Sequence, residues 1–381
     1  MFSNLKHVLI RQVVNTLGWR ANRRIVVIES DDWGSIRMPS KDVYNRLLKA
    51  GFAVDADPYC KYDSLASHDD LESLFEILTT VKDKNGHYPV MTANCVMANP
   101  DFERIKGADF MQYYYEPITE TFKRYPKCRQ SFNLWEEGKK TGIFHLQLHG
   151  REHLNVNRWM NELLKNDYAA RLQFDNFCWG LTPITSHLIK KNFLSAFSGV
   201  QQTEAIEIII AEGVKLFYDL FGYYPQSFIA PCYVWNNDVE NILSRHNIKY
   251  LQGNYFQSIS DFKNETKHKS RLNYLGKRNT NKQLYLVRNC FFEPGQNEQA
   301  DWVNSCLKEI AFAFKHKKPA IISMHRLNFI GSIFVENRDK NLILLERLLK
   351  SIVSNWPDVE FITSDCLGDL INDMDEKDIN Y

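Results

Sequence analysis

Apolar and polar positions fall into alternating blocks along the chain. The first clear block is Ile25-Val-Val-Ile28, which runs into Glu29-Ser-Asp31-Asp32-Trp33-Gly34. A continuous run of branched aliphatics fits a strand buried on both faces, as in a parallel sheet. Comparable strand-like blocks recur at 88–95, 143–148, 227–230, 249–251, 284–287, 320–324 and 359–363. Helical periodicity lies between them, at about 40–50, 69–83, 111–124, 131–141, 157–166, 203–221, 237–246, 298–316 and 338–354. A final helix opens at Ser364-Asp365, residue types that favour an N-cap. About seven βα units in one run predict an α/β fold, a parallel sheet with crossover helices.

Where the pattern breaks is also informative. Segment 254–283 is polar, rich in Asn, Lys and Thr, and weakly periodic, which predicts a surface insertion, read as a β-hairpin. No linker, low-complexity tract or internal repeat divides the chain, so residues 1–381 are read as a single domain. Residues 1–20 read as an amphipathic helix covering one end of the fold. Lys6, His7 and Arg11 interrupt its apolar stretches and no small-residue cleavage site follows, so it makes a poor signal peptide and a cytoplasmic location is expected.

Composition narrows the classes. Net charge is +1 with acids and bases mixed, and no basic stripe suggests nucleic acid. No apolar run approaches the ~20 residues of a membrane span. The eight cysteines, at 60, 95, 128, 178, 232, 290, 306 and 366, show no C-x-x-C spacing. They read as reduced core residues, neither a disulfide frame nor a thiolate zinc site. Oligomeric state is left open.

Three strand blocks end in titratable residues: Asp31-Asp32, His149-Gly-Arg-Glu-His153 and Met324-His325-Arg326. In a parallel barrel these ends share one rim, where active sites form. Adjacent carboxylates repel and call for a cation or a shared proton. Two imidazoles four residues apart, with one carboxylate, suit a borderline divalent cation such as Zn²⁺. His325 titrates near neutrality and is a candidate proton donor. His145 shares a strand face with Gln147 and His149 and reads as an orienting or interior residue.

The string Ser30-Asp31-Asp32, then His149-x-x-x-His153, then Ser323-Met-His325, resembles the polysaccharide deacetylases of carbohydrate esterase family four, the NodB-homology group. The resemblance spans residues 25 to about 370 in the right order, as a divergent, bacterial-looking branch. It implies a distorted (β/α)₇ barrel and metal-dependent removal of an N-acetyl group from an amino sugar in bacterial surface-polysaccharide metabolism. Carried over, Asp32, His149 and His153 hold the metal, Asp31 is the general base and His325 the general acid. The oxyanion donor falls near Cys232-Tyr233. Three departures stand out. Trp33 replaces a glycine, with Gly34 one later. Ile229 and Ala230 stand where an arginine usually pairs with the base, leaving Arg151 or Arg288 as substitutes. Asp301-Trp302 sits on a helix and reads as surface.

Trp33, Tyr233, Trp235, Phe291 and Phe292 fall near rim positions, where aromatic faces could stack on sugars. Other readings remain. A glycosidase on the related seven-stranded barrel would use Asp31 with another carboxylate such as Glu293. Two histidines and a carboxylate also form the facial triad of non-haem iron oxygenases. A non-catalytic carbohydrate-binding relative would keep the barrel alone.

Overall fold

The computed structural model describes residues 16–181 and 193–379. Most of the predicted N-terminal helix therefore lies outside the described residues. The strands that build the barrel are β1 (Ile25–Trp33), β2 (Met91–Cys95), β3 (Phe144–Leu148), β4 (Ser227–Phe228), β5 (Tyr250–Gly253), β6 (Leu284–Val287), β7 (Cys290–Phe291), β8 (Ala320–His325) and β9 (Glu360–Phe361). All of their pairings are parallel. The order runs β6-β5-β4-β3-β2-β1-β8-β7, with β9 on β1.

Two features turn this order into a distorted (β/α)₇ barrel. β6 pairs with β5, and two residues later β7 pairs with β8. The Arg288 N–H still bonds Gly253 O, whereas the Asn289 N–H bonds Ile321 O. One strand thus changes partners midway and closes the ring. β9 pairs only with Ile25 and Val26 at the base of β1. The nine strands therefore occupy seven places around the ring, with β9 wedged at the bottom.

The alternation of a strand decides what each residue faces. Val26 and Ile28 point outward into the main core, which includes Leu71, Leu74, Phe144 and Leu345 from neighbouring strands and helices. Ile25 and Val27 point inward and pack with Tyr250, Leu284, Leu286 and Ile321. Leu367 and Ile371 of the last helix, Ser364–Ile379, complete this plug and seal the barrel floor. Above the plug the same inward face carries Glu29 and Asp31.

Several elements differ from the sequence reading. The predicted strand at 227–230 pairs only over Ser227–Phe228, then tightens into a single turn at Pro231–Tyr233 with Cys232 and Tyr233 at positive φ. Segment 111–124 splits at Pro117, which ends the short strand Tyr115–Pro117 before helix Ile118–Arg124. The last helix is capped by Thr363, whose Oγ1 accepts from the Cys366 N–H, because Ser364 turns its hydroxyl to Glu29. Segment 254–283 does hold an antiparallel hairpin, Phe256–Asp261 with Asn264–Leu272. All eight cysteines are free; Cys232 and Cys366 are exposed and so depart from the predicted core placement. Among the described residues no helix is long and apolar enough to cross a membrane.

Candidate active site

The Asp31-Asp32 pair poses a geometric problem. Consecutive strand residues point to opposite faces, so both carboxylates cannot enter the barrel from a regular strand. The pairing of β1 with β2 shifts register between Ser30 and Trp33, a β-bulge. Asp32 sits there at φ 73, in the left-handed region. The bulge swings Asp32 back to the rim beside Asp31. Gly34 follows at φ +81, with Val96 O where a Cβ would need room.

Asp32 meets two histidines. His149, just past the end of β3, and His153 place their Nε2 atoms 3.2 and 3.3 Å from Asp32 Oδ1. The three side chains are buried, and their ligand atoms lie within 4.8 Å of one another. His149 Nδ1 lies 2.9 Å from Ile229 O. A carbonyl only accepts, so Nδ1 carries the proton, and in a neutral ring Nε2 is bare. Two lone pairs then face each other across 3.2 Å, an arrangement that a cation between them relieves. The spacing fits: metal–ligand bonds of about 2.0 Å in a tetrahedron place ligand atoms about 3.3 Å apart. Burial pushes the His153 imidazole down to about 3, despite the nearby Asp32 charge, so it stays neutral and able to ligate. Its Nδ1 is buried without a hydrogen-bond partner.

Asp31 is held from another side. Arg288 donates from Nη1 to Oδ2 at 2.6 Å and from Nη2 to Oδ1 at 2.7 Å, and Asn94 adds a bond to Oδ1 at 2.8 Å. Arg288 Nε bonds Glu29 Oε2 at 2.5 Å. Burial alone would raise the Asp31 carboxyl, but the guanidinium charge and its hydrogen bonds hold it at about 2. His325 is the register partner of Asp31 across β1 and β8, and its Nε2 lies 3.8 Å from Asp31 Oδ2. Its Nδ1 lies 2.5 Å from Glu293 Oε1, and Asn328 bonds the other Glu293 oxygen. Burial would lower this imidazole, but the Glu293 charge and hydrogen bond lift it to about 9. His325 is therefore a cation at neutral pH. Around the triad, Asp32 and Asp63 flank Arg37, Asp63 also meets Arg326, and Glu293 meets His325.

These groups open onto a cavity of about 650 Å³. Asp31, Asp32, His149, His153, His325 and Tyr233 line it. Tyr233 also accepts from Arg288 Nη1 at 2.8 Å. Of the two candidate replacement arginines, Arg288 is the partner of Asp31. Arg151 is not: it pairs with Glu152 and Glu212, stacks on Tyr115, and braces the His149–His153 loop from behind. Trp33 and Trp235 are not rim residues either. Trp33 is buried edge-on against Phe144 and Trp135, with Nε1 donating to Ser30. Trp235 is buried and donates to Glu240. A bulge before Trp33 and a tight turn before Trp235 direct these indoles into the core. Phe291 lines the cavity; Phe292 is core. Trp302, read as surface, forms part of the cavity wall. His145 lies low in the barrel, bonded to Asp365 and Gln147, away from the triad. Arg37 and Tyr59 were missed. Both reach the cavity from the β1–β2 connection, where neither periodicity nor a strand end marks them.

A family model for glycosyl hydrolase family 57 matches residues 65–290, more than half of the chain. The chain belongs to that family. A search of curated proteins gave no match. Among solved structures, a putative polysaccharide deacetylase from Mycobacterium smegmatis is 10% identical, with 94% of each chain covered and a TM-score of 0.46. A probable polysaccharide deacetylase from Pseudomonas aeruginosa PAO1 is 9% identical, covering 91% of this chain and 90% of its own, at 0.47. A 4-alpha-glucanotransferase from Thermococcus litoralis is 10% identical, covering 90% of this chain and 40% of its own, at 0.45.

Proposed function

We propose that this chain is a single-domain, metal-dependent hydrolase that removes an N-acetyl group from an amino sugar or saccharide. The observation that carries the reading is the spacing of Asp32, His149 and His153: two imidazole nitrogens stand 3.2 and 3.3 Å from one carboxylate oxygen, the edge length of a zinc tetrahedron. A divalent cation bound there, most simply Zn²⁺, supplies Lewis acidity and makes water a nucleophile near neutral pH.

The chain's own residues then divide the work. Asp31, ionised at all physiological pH, takes the proton released at the attacking water. Its low basicity under Arg288 would be tolerable with a cation at the triad to acidify the water it serves. His325, cationic beside it, hands a proton from Nε2 to the departing sugar nitrogen. Glu293 keeps that proton on His325 until it is needed. Tyr233 lines the cavity, where its hydroxyl suits the carbonyl oxygen. Arg288 supports Asp31 and does not face substrate.

A second reading rests on family membership: a glycosidase using Asp31 and Glu293. Asp31 held at about 2 cannot act as the acid, and Glu293 is engaged by His325 and Asn328, so this reading needs a rearranged Glu293. One assay separates the two. Acetate and new reducing ends are measured from N-acetylated and plain oligosaccharides, with and without chelator. The deacetylase reading expects acetate, no reducing ends and loss on chelation. Asp32→Ala should abolish metal binding, while Asp31→Asn should keep the metal and lose about 10²- to 10⁴-fold in rate. Reducing ends formed in the presence of chelator would overturn it.

A further inference from the structure

Arg37 is built into the triad yet used by it only in part. It is 8% exposed and lines the cavity with Asp32, His149 and His153. Its Nη2 donates to Asp32 Oδ2 at 3.1 Å, the oxygen turned away from the two histidines. Its Nε is buried without a hydrogen-bond partner, 3.6 Å from Asp63 Oδ2. Asp63 is already taken by Arg326, at 2.9 and 3.0 Å. Among the described residues, Nη1 makes no hydrogen bond. The buried Nε, left without a partner, is costly unless something completes it, and the guanidinium borders the cavity from which a ligand oxygen can do so. Tyr59 flanks its plane, with the ring centre 5.9 Å from Cζ. When a cation occupies the triad, the charge of Asp32 is shared with that cation, and Arg37 is left with positive charge to spare.

We infer that Arg37 is a receptor for an anionic oxygen held beside the Asp32–His149–His153 site. The inference rests on the cation-binding reading of the triad. An anionic oxygen can come from two sources. One is the reaction: as water oxygen bonds to the amide carbon, the C=O π pair moves onto oxygen, and Arg37 donates to that oxygen. The pair then returns, the C–N bond breaks, and nitrogen leaves with a proton from His325. The other is a carboxylate carried by the sugar. Both suit the fork of an arginine better than the point charge of a lysine.

The test uses the full-length, zinc-loaded protein and acetate as probe. Acetate affinity is measured by calorimetry for wild type, Arg37→Met and Arg37→Lys, with zinc content determined in parallel. The expected result is a loss of about tenfold or more in Arg37→Met at full zinc occupancy, with Arg37→Lys between. Unchanged acetate affinity overturns the inference, and so does loss of zinc from both variants, which would make Arg37 only a positioning residue for Asp32. Kinetics then separate the sources. A fall in kcat on neutral and acidic N-acetyl saccharides alike assigns the reaction oxyanion, and a rise in KM confined to the acidic substrate assigns the carboxylate. A weakened acetate site in a protein that deacetylates nothing keeps this inference and sinks the proposed function. Turnover with an unweakened acetate site does the reverse.

Discussion

His325 and Glu293 make the clearest residue-scale case. The proton donor must be charged, and His325 stays charged up to about 9 because Glu293 faces it. Activity should therefore fall as pH rises through about 9. Glu293→Gln removes the charge and the anionic acceptor, so the basic limb of the kcat/KM profile should move toward the ordinary imidazole value of about 6.5. An unmoved limb would exclude His325 as the donor. The same raised value stabilises the fold below about 6.5, and that contribution is lost as pH climbs through about 9. Arg288 tests stability instead. It is fully buried between Glu29 and Asp31, and Arg288→Met takes from both carboxylates the one guanidinium they share. A loss of about 3–5 kcal/mol is expected by denaturant unfolding. Arg288→Lys should recover part of it, since one ammonium cannot span both partners. The histidines and aspartates were legible because each ends or follows an apolar run. Arg288 was legible only as one of two options, since nothing in its neighbours tells it from Arg151. The difference lies in strand register, which brings residue 288 across the barrel to residue 31.

At the scale of elements, the alternation of apolar blocks gave the βα order and most strand positions. What it missed follows from local chemistry. Pro117 splits a predicted helix, and the closing strand changes partner at Arg288-Asn289, a polar interruption that reads in sequence as a strand end. Trp33 and Trp235 were misplaced because proximity to a strand end does not fix side-chain direction once a bulge or a tight turn intervenes. That bulge is itself testable. Gly34 allows the chain to turn after Asp32, and a Cβ there would lie 2.9 Å from Val96 O. Gly34→Ala should cost about 1–3 kcal/mol. It should also weaken zinc binding, because the strain falls on the turn that aims Asp32. Destabilisation with unchanged zinc affinity would show that the turn and the ligand are mechanically separate.

For the whole molecule, the cation should behave as part of the fold. A ligand that binds only the folded chain stabilises it by about 4 kcal/mol at a thousandfold excess over its Kd. Chelator should lower the melting temperature of the wild type. Asp32→Ala should melt alike with or without zinc. A wild-type melt indifferent to chelator would argue against a resident cation.

The strand that runs from Leu284 to Phe291 carries a further consequence. Arg288 sits where that strand trades one neighbour for the other, and it reaches Asp31 across 257 positions of sequence. Ring closure and assembly of the charged centre are therefore one event. Contacts this distant form late, after most of the chain is already collapsed. Until then Glu29 and Asp31 are two like charges at the mouth of an open sheet. A chain that stalls before closure would carry a correct set of strands and no working centre, so recovery of activity on refolding should trail recovery of secondary structure.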